Sequence, residues 1–222
     1  MKALILAAGR GERMKPLTNT TPKPLLTVNN KPLIVYTIES LVAAGITDLV
    51  INLAYLGEQI ENTLGDGSQF NATIQYSKEG QNALETAGGI IHALPLLGNA
   101  PFLVINADIA CNFPLSRLTN KKIDLAHLVL IKNPKHHPGG DFGLENNVIK
   151  MQTSKKFTFS GIGLYHPELF ANTLPGKSKL APLLRNAAQK NRISGELHHG
   201  FWMDIGTPER LKELENYYNR RN

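Results

Sequence analysis

The sequence holds a single cysteine, Cys111, among its 222 residues. That excludes an intramolecular disulfide and any zinc site built from several cysteines. Long apolar runs are also missing: residues 1–8 and 94–97 fall far short of the about 20 residues a membrane-spanning helix needs. Met1-Lys2 leads straight into an apolar segment and a glycine loop, with no small-residue cleavage site. No signal peptide is therefore expected, and the cytoplasm is the expected compartment. Repeats, linkers and low-complexity tracts are absent. A composition of 42% hydrophobic and 19% charged residues excludes a disordered or fibrous chain. Acidic residues are the minority, 18 against 24 lysines and arginines, which leaves a formal charge of +6. The excess suits an anionic partner. The cations are dispersed apart from Arg220-Arg221, and no aromatic residues interleave with them. Neither nucleic acid nor a membrane is the expected partner, whereas a small phosphorylated ligand fits.

What is present is an alternation of two periodicities. Residues 3–8 (ALILAA), 48–53 (DLVINL) and 101–106 (PFLVIN) are short apolar runs of the kind buried on both faces of a sheet, and 72–76 reads as another strand. Between them, 33–44, 58–64 and 86–97 carry helical spacing, with Pro32 opening the first and Gly45 and Gly65 placed as stops. Such alternation predicts an α/β fold, a parallel sheet with helices on both faces. In the second half, 124–132, 156–165 and the end of 199–204 read as strands, and 180–189 and 208–218 as helices. Gly206-Thr207-Pro208 supplies a stop, an N-cap and a first-turn proline.

The densest signal is the segment 6–24, LAAGRGERMKPLTNTTPKP. A buried strand delivers the chain to Gly9 and Gly11, where missing side chains permit unusual backbone angles and close approach. Consecutive N–H groups in such a loop can hold phosphate oxygens, with Arg13 and Lys23 as cations on the same excursion. A tight turn with solvated cations is the plainer alternative. The Rossmann fingerprint needs a third glycine opening a helix, but Met14 holds that place and Pro16 breaks any helix early. No G-x-x-x-x-G-K-S/T run occurs, so a P-loop is excluded.

Taken together, Leu6, Ala7, Ala8, Gly9, Gly11, Arg13, Pro16, Thr18, Pro22, Lys23 and Pro24 resemble the amino-terminal signature of the sugar-phosphate nucleotidyltransferases. Residues 79–89 (EGQNALETAGG) resemble that family's base-recognition loop, Asn106-Ala107-Asp108 its G/N-x-D element, and residues 201–207 (FWMDIGT) its W-x-D-x-G-T element. Glu85 stands where many members have glycine. The resemblance implies a Rossmann-like, GT-A-like nucleotide-diphospho-sugar transferase fold with a mixed, mostly parallel central sheet. It further implies one domain over 1–222, with 1–110 holding the nucleotide and 111–222 the sugar phosphate.

By the same resemblance, Ala8, Gly9, Gly11, Glu12, Arg13, Lys23, Glu79 and the Gly88 backbone would bind the nucleotide, with Arg13 and Lys23 catalytic. Asn106 and Asp141 would contact the sugar, and Asp108 and Asp204 would bind Mg²⁺ from distant segments. For Glu79 an ordinary helix start is an equal alternative. Residues 51–60, 64–68 and 136–142 liken the chain to the branch of the family that joins UTP to N-acetylmuramic acid 1-phosphate in bacterial cell-wall recycling. Mannose 1-phosphate with GTP and glucose 1-phosphate with dTTP are the alternative pairs, and a monomer is expected. A Rossmann oxidoreductase and a non-catalytic nucleotide sensor are the rival classes. The missing third glycine disfavours the first, and the joint presence of Lys23, Asp108 and Asp204 disfavours the second.

Overall fold

The computed structural model describes residues 1–80 and 83–220, so Gln81 and Asn82 of the 79–89 loop and Arg221 of the basic tail lie outside the described residues. The strands are β1 (Lys2–Leu6), β2 (Thr27–Val28), β3 (Lys31–Pro32), β4 (Asp48–Leu53), β5 (Thr73–Lys78), β6 (Phe102–Asn106), β7 (Ile109–Cys111), β8 (Ala126–Ile131), β9 (Gly143–Glu145), β10 (Val148–Lys150), β11 (Thr158–Tyr165), β12 (Ile193–His198) and β13 (Trp202–Asp204). The helices are α1 (Leu33–Ala43), α2 (Gly57–Leu64), α3 (Glu85–Leu97), α4 (Leu180–Gln189) and α5 (Pro208–Asn219).

Nine strands form one sheet in the order β5-β4-β1-β6-β11-β8-β12-β10-β9. The apolar runs of the first half occupy its centre because burial on both faces leaves no place for polar alternation. Along β1, Ala3 and Ile5 face one core with Ile34, Ile38 and Ile60 of α1 and α2. Leu4 faces the opposite core with Ala87, Ile90 and Leu184 of α3 and α4. The strand's two-residue period thus assigns helices to both faces.

The sheet is mixed. β5–β4, β4–β1, β1–β6 and β8–β12 pair parallel, while β6–β11, β11–β8, β12–β10 and β10–β9 pair antiparallel. Parallel pairing is therefore concentrated in the first half, where strand and helix alternate. β9 and β10 form a hairpin that the sequence reading did not anticipate. Its turn, Asn146-Asn147, has φ of 50° and 61°, the left-handed pair a two-residue hairpin favours. A short ribbon of β7 against β13 stands apart from the large sheet and pairs Asp204 with Ile109. Among the described residues no helix is long and apolar enough to cross a membrane.

β12 lies between β8 and β10 and brings a charged group inside. The His127 ring, 1% exposed, lies 3.0 Å from Glu196 Oε1 through Nε2 and 2.8 Å from the Ser194 hydroxyl through Nδ1. Arg117 and Lys121 also face Glu196, at 2.5 and 3.4 Å. Burial first, then the Lys121 charge, pushes the imidazole down to about 4 against the pull of Glu196. The unfolded chain protonates near the ordinary value while the folded ring stays neutral, so stability present above pH 6.5 is lost as pH falls toward 4. Urea unfolding at pH 7 and pH 5 is expected to show about 2 kcal/mol more loss for wild type than for His127→Gln. Equal losses would contradict this placement of the proton.

Candidate active site

β1 and β6 run side by side in parallel, with Leu6 opposite Asn106, and the Ala107 N–H donates to the Leu6 carbonyl at 3.0 Å. Whatever follows each strand therefore emerges at the same carboxyl edge, where open α/β sheets bind ligands. Beyond β1 the chain turns at Gly11, whose φ of 65° is left-handed. A Cβ there would sit 2.9 Å from Thr18 Cγ2 and 3.1 Å from Lys23 Cβ, so glycine is needed for angle and space alike. Gly9 differs: a Cβ there would meet nothing within 4 Å, and it borders open cavity instead. Between Gly11 and Leu26 the prolines divide the chain into short 3₁₀ turns at Glu12–Met14, Leu17–Asn19 and Lys23–Leu25. The last turn carries Lys23 back beneath the loop. The residue is 9% exposed overall, and its ammonium donates to the Asp108 carboxylate.

Asp108 and Asp204 come from segments far apart in sequence but meet at the β7–β13 ribbon. Ile205 N–H donates to the Asp108 carbonyl at 2.7 Å, one step beyond the Asp204–Ile109 pairing. Both aspartates line one cavity of about 380 Å³ together with Arg13, Asn106, His136 and Trp202. Arg210 donates to Asp204 Oδ2. His136 Nε2 lies 3.1 Å from Oδ1 but outside hydrogen-bond alignment, and that buried oxygen has no hydrogen bond among the described residues. A Cβ on Gly206 would be 3.0 Å from an Arg13 guanidinium nitrogen and 3.1 Å from Asp204 Oδ2, so glycine there leaves room for both side chains. An orphaned buried oxygen and two hard carboxylates suit a divalent cation that keeps waters and phosphate oxygens in its shell. Among the described residues no cluster of three or more His, Cys, Asp or Glu side chains could hold a metal alone.

A second cavity of about 380 Å³ lies over Ala8, Gly9, Lys23, Asn52, Glu79 and Asp108. Asn52, buried at the end of β4, holds its walls together. Its Oδ1 accepts from Ala7 N–H at 2.7 Å, and its Nδ2 donates to Glu79 Oε1 at 2.6 Å. Glu79 Oε2 in turn accepts from Leu84 N–H at 2.8 Å. Glu79 thus lies in the cavity wall and also fixes the approach to α3. The Gly88 N–H is directed elsewhere: it donates to the Ser178 carbonyl at 3.1 Å, and Gly88 does not line this cavity. Glu12 is exposed and pairs with Lys15 at 2.5 Å. Glu85, at the position where a glycine is the familiar residue, has φ of 62° and is held in the left-handed region at the start of α3.

A third cavity, of about 340 Å³, joins Asn106 and Asp141 with Glu85, Thr86, Lys179 and Arg185. Asp141 Oδ2 accepts from Phe159 N–H at 2.8 Å, and His137 Nε2 lies 3.1 Å from Oδ1. His136 and His137 thus face different carboxylates, from a turn closed by the His137 N–H donating to the Pro134 carbonyl at 2.9 Å. Asn106 lines all three cavities. Room for it comes from an irregularity in β11 between Phe159 and Gly163. Gly161 there has φ of 84°, and a Cβ on it would come 2.7 Å from Asn106 Nδ2. Cys111 is half-buried, and burial raises its thiol to about 11, which removes it as a thiolate at neutral pH.

Sequence reading missed Asn52, Arg210, Lys177, Lys179 and Arg185. For Asn52 a signal existed, since an asparagine inside the apolar run DLVINL has to satisfy a buried amide.

This chain belongs to the nucleotidyl transferase family, whose model matches residues 2–221. Among its relatives, the N-acetylmuramate alpha-1-phosphate uridylyltransferase of Neisseria meningitidis serogroup B is 50% identical over 97% of each chain. The protein of the same name from Caulobacter vibrioides is 31% identical over 93% of this chain and 92% of its own. A crystal structure of a UDP-glucose pyrophosphorylase complexed with UDP-glucose matches with a TM-score of 0.79 at 24% identity, over 100% of this chain and 99% of that one. At that identity the likeness concerns the fold alone.

Asn52→Ala would strand both the Ala7 N–H and a Glu79 carboxylate oxygen. Urea unfolding is expected to show a loss of about 2 kcal/mol. A loss under about 0.5 kcal/mol, the size of an ordinary surface change, would mean that Asn52 does not join the two walls.

Proposed function

We propose that this chain transfers a uridylyl group from UTP to N-acetylmuramic acid 1-phosphate, releasing pyrophosphate. The observation that carries the reading is the convergence of Lys23, Asp108 and Asp204 on one end of the sheet, with a glycine loop above them. The 50% identity to a uridylyltransferase over 97% of the chain supports the choice of substrates. Residues 1–110 would receive the nucleotide, and residues 111–222 would complete the sugar side.

In this reading the phosphate oxygen of the sugar phosphate attacks the α-phosphorus of UTP. A P–O bond forms on one side as the bond to pyrophosphate breaks on the other. A phosphate monoester loses its second proton near pH 6, so no protein group has to remove one. The work left to the protein is alignment and charge stabilisation. Lys23, already held at the carboxyl edge by Asp108, is placed to contact oxygens of both the α-phosphate and the incoming phosphate. Arg13 and the loop of residues 8–11 hold the departing pyrophosphate. Asp108 and Asp204 are the residues that would hold Mg²⁺, which when bound supplies positive charge beside the α-phosphate. Asn52 and Glu79 keep the wall beside the nucleotide in shape, and Asn106 and Asp141 face the sugar.

Pyrophosphate release across nucleotide and sugar phosphate pairs tests the assignment: UTP with N-acetylmuramic acid 1-phosphate is expected to be fastest. Higher turnover with GTP and mannose 1-phosphate, or dTTP and glucose 1-phosphate, would replace it. With the preferred pair, Lys23→Ala is expected to cut kcat by about 10²-fold or more, the scale of losing a group that stabilises transition-state charge. Wild-type turnover in that variant would remove Lys23 from the chemistry. Asp108→Asn and Asp204→Asn are each expected to raise the Mg²⁺ concentration needed for half-maximal rate. If both kept the parent's Mg²⁺ dependence, the paired carboxylates would not be the metal ligands.

A further inference from the structure

The third cavity has a charge pattern that transfer chemistry alone does not require. It is lined by Asn106 and Asp141 and also by Lys179, the N-cap residue of α4, and Arg185 in that helix's second turn. Neither cation has an acidic partner within 4.0 Å among the described residues. Asp141, by contrast, is engaged by the Phe159 N–H and His137. The segment carrying Lys179 is fastened in place. The Ser178 carbonyl accepts from Ala87 and Gly88 N–H at 3.0 and 3.1 Å, and Ser178 N–H donates to the Leu84 carbonyl at 2.9 Å. Lys179 is therefore tied by its neighbour's backbone to the first turn of α3. Lys177, on the other side of Ser178, lines the nucleotide cavity instead. A volume of about 340 Å³ is enough for a small ligand's ring and substituents.

We propose that Lys179 and Arg185 read an anionic substituent on the acceptor sugar, so that a carboxylate-bearing sugar 1-phosphate is selected over its neutral counterpart. The inference rests on the uridylyltransferase reading and deepens it. A carboxylate entering between an ammonium and a guanidinium gains charge-assisted hydrogen bonds that a hydroxyl in the same place gains only weakly. A neutral sugar leaves both cations hydrated and loses that margin. Selection of this kind appears as a ratio of kcat/KM values between two acceptors.

The test compares N-acetylmuramic acid 1-phosphate with N-acetylglucosamine 1-phosphate, which lacks the carboxylate, at saturating UTP. Wild type, Arg185→Ala, Lys179→Ala, the double variant and Arg185→Lys are assayed by pyrophosphate release. Wild type is expected to favour the acidic acceptor. Each alanine variant is expected to reduce that preference about tenfold, mainly through KM, with Arg185→Lys retaining most of it. Raising the salt concentration is expected to erode the preference in wild type more than in the double variant. Equal losses on both acceptors, or an unchanged ratio, would overturn the inference. Wild type that uses the neutral acceptor at least as well would overturn it while leaving uridylyl transfer intact. Wild type that uses neither acceptor would overturn the functional reading, and this inference with it.

Discussion

The site depends on the register of two parallel strands. Because Leu6 pairs with Asn106, the loop after β1 and the short element after β6 leave the sheet at the same level. Lys23 then closes the gap between them through its contact with Asp108. An ion pair this sheltered contributes little net stability, since desolvation offsets most of the attraction. Its value is placement: a cation and a carboxylate stand together at the sheet's edge before any ligand arrives. The apolar cores on either face hold that edge rigid, and α1, α2, α3 and α4 cover the strands that define it.

Charge neutralisation is organised on the same plan at each carboxylate. Asp108 meets Lys23, and Asp204 meets Arg210 with His136 and Arg13 close by. These cations are the groups an incoming triphosphate would attract, and the aspartates are the groups a divalent ion would attract. Such an arrangement would let ligand charges take the place of protein pairs. Glu85, which lines two of the cavities, is left-handed, a conformation a side chain rarely adopts.

Much of this architecture was legible because burial on both faces writes itself as uninterrupted apolar residues. The runs that became β1, β4 and β6 could be read directly, as could α4 and the Thr207 cap of α5. β12 was hidden because ISGELH carries serine, glycine and glutamate into the sheet interior, where Glu196 meets the charges of Arg117 and Lys121 and the neutral ring of His127. β7 spans only Ile109–Cys111, too short to display a period. In the site, the glycine loop and the aspartates announced themselves through motif spacing. Asn52 did not, because a bridging role needs two partners distant in sequence. Lys179 and Arg185 belong to no motif, and only the cavity beside Asp141 distinguishes them. Gly88 had the right neighbours in sequence, yet its N–H is taken by Ser178.

The central claim, that one divalent ion and one nucleotide meet between Asp108 and Asp204, has a built-in reporter. Trp202 is the sole tryptophan and lines the same cavity as both carboxylates. Titrating the protein with paramagnetic Mn²⁺ in the presence of UTP is predicted to quench tryptophan emission saturably, with diamagnetic Mg²⁺ competing the effect away. Emission that ignores Mn²⁺, or declines linearly without saturation or competition, would contradict the account.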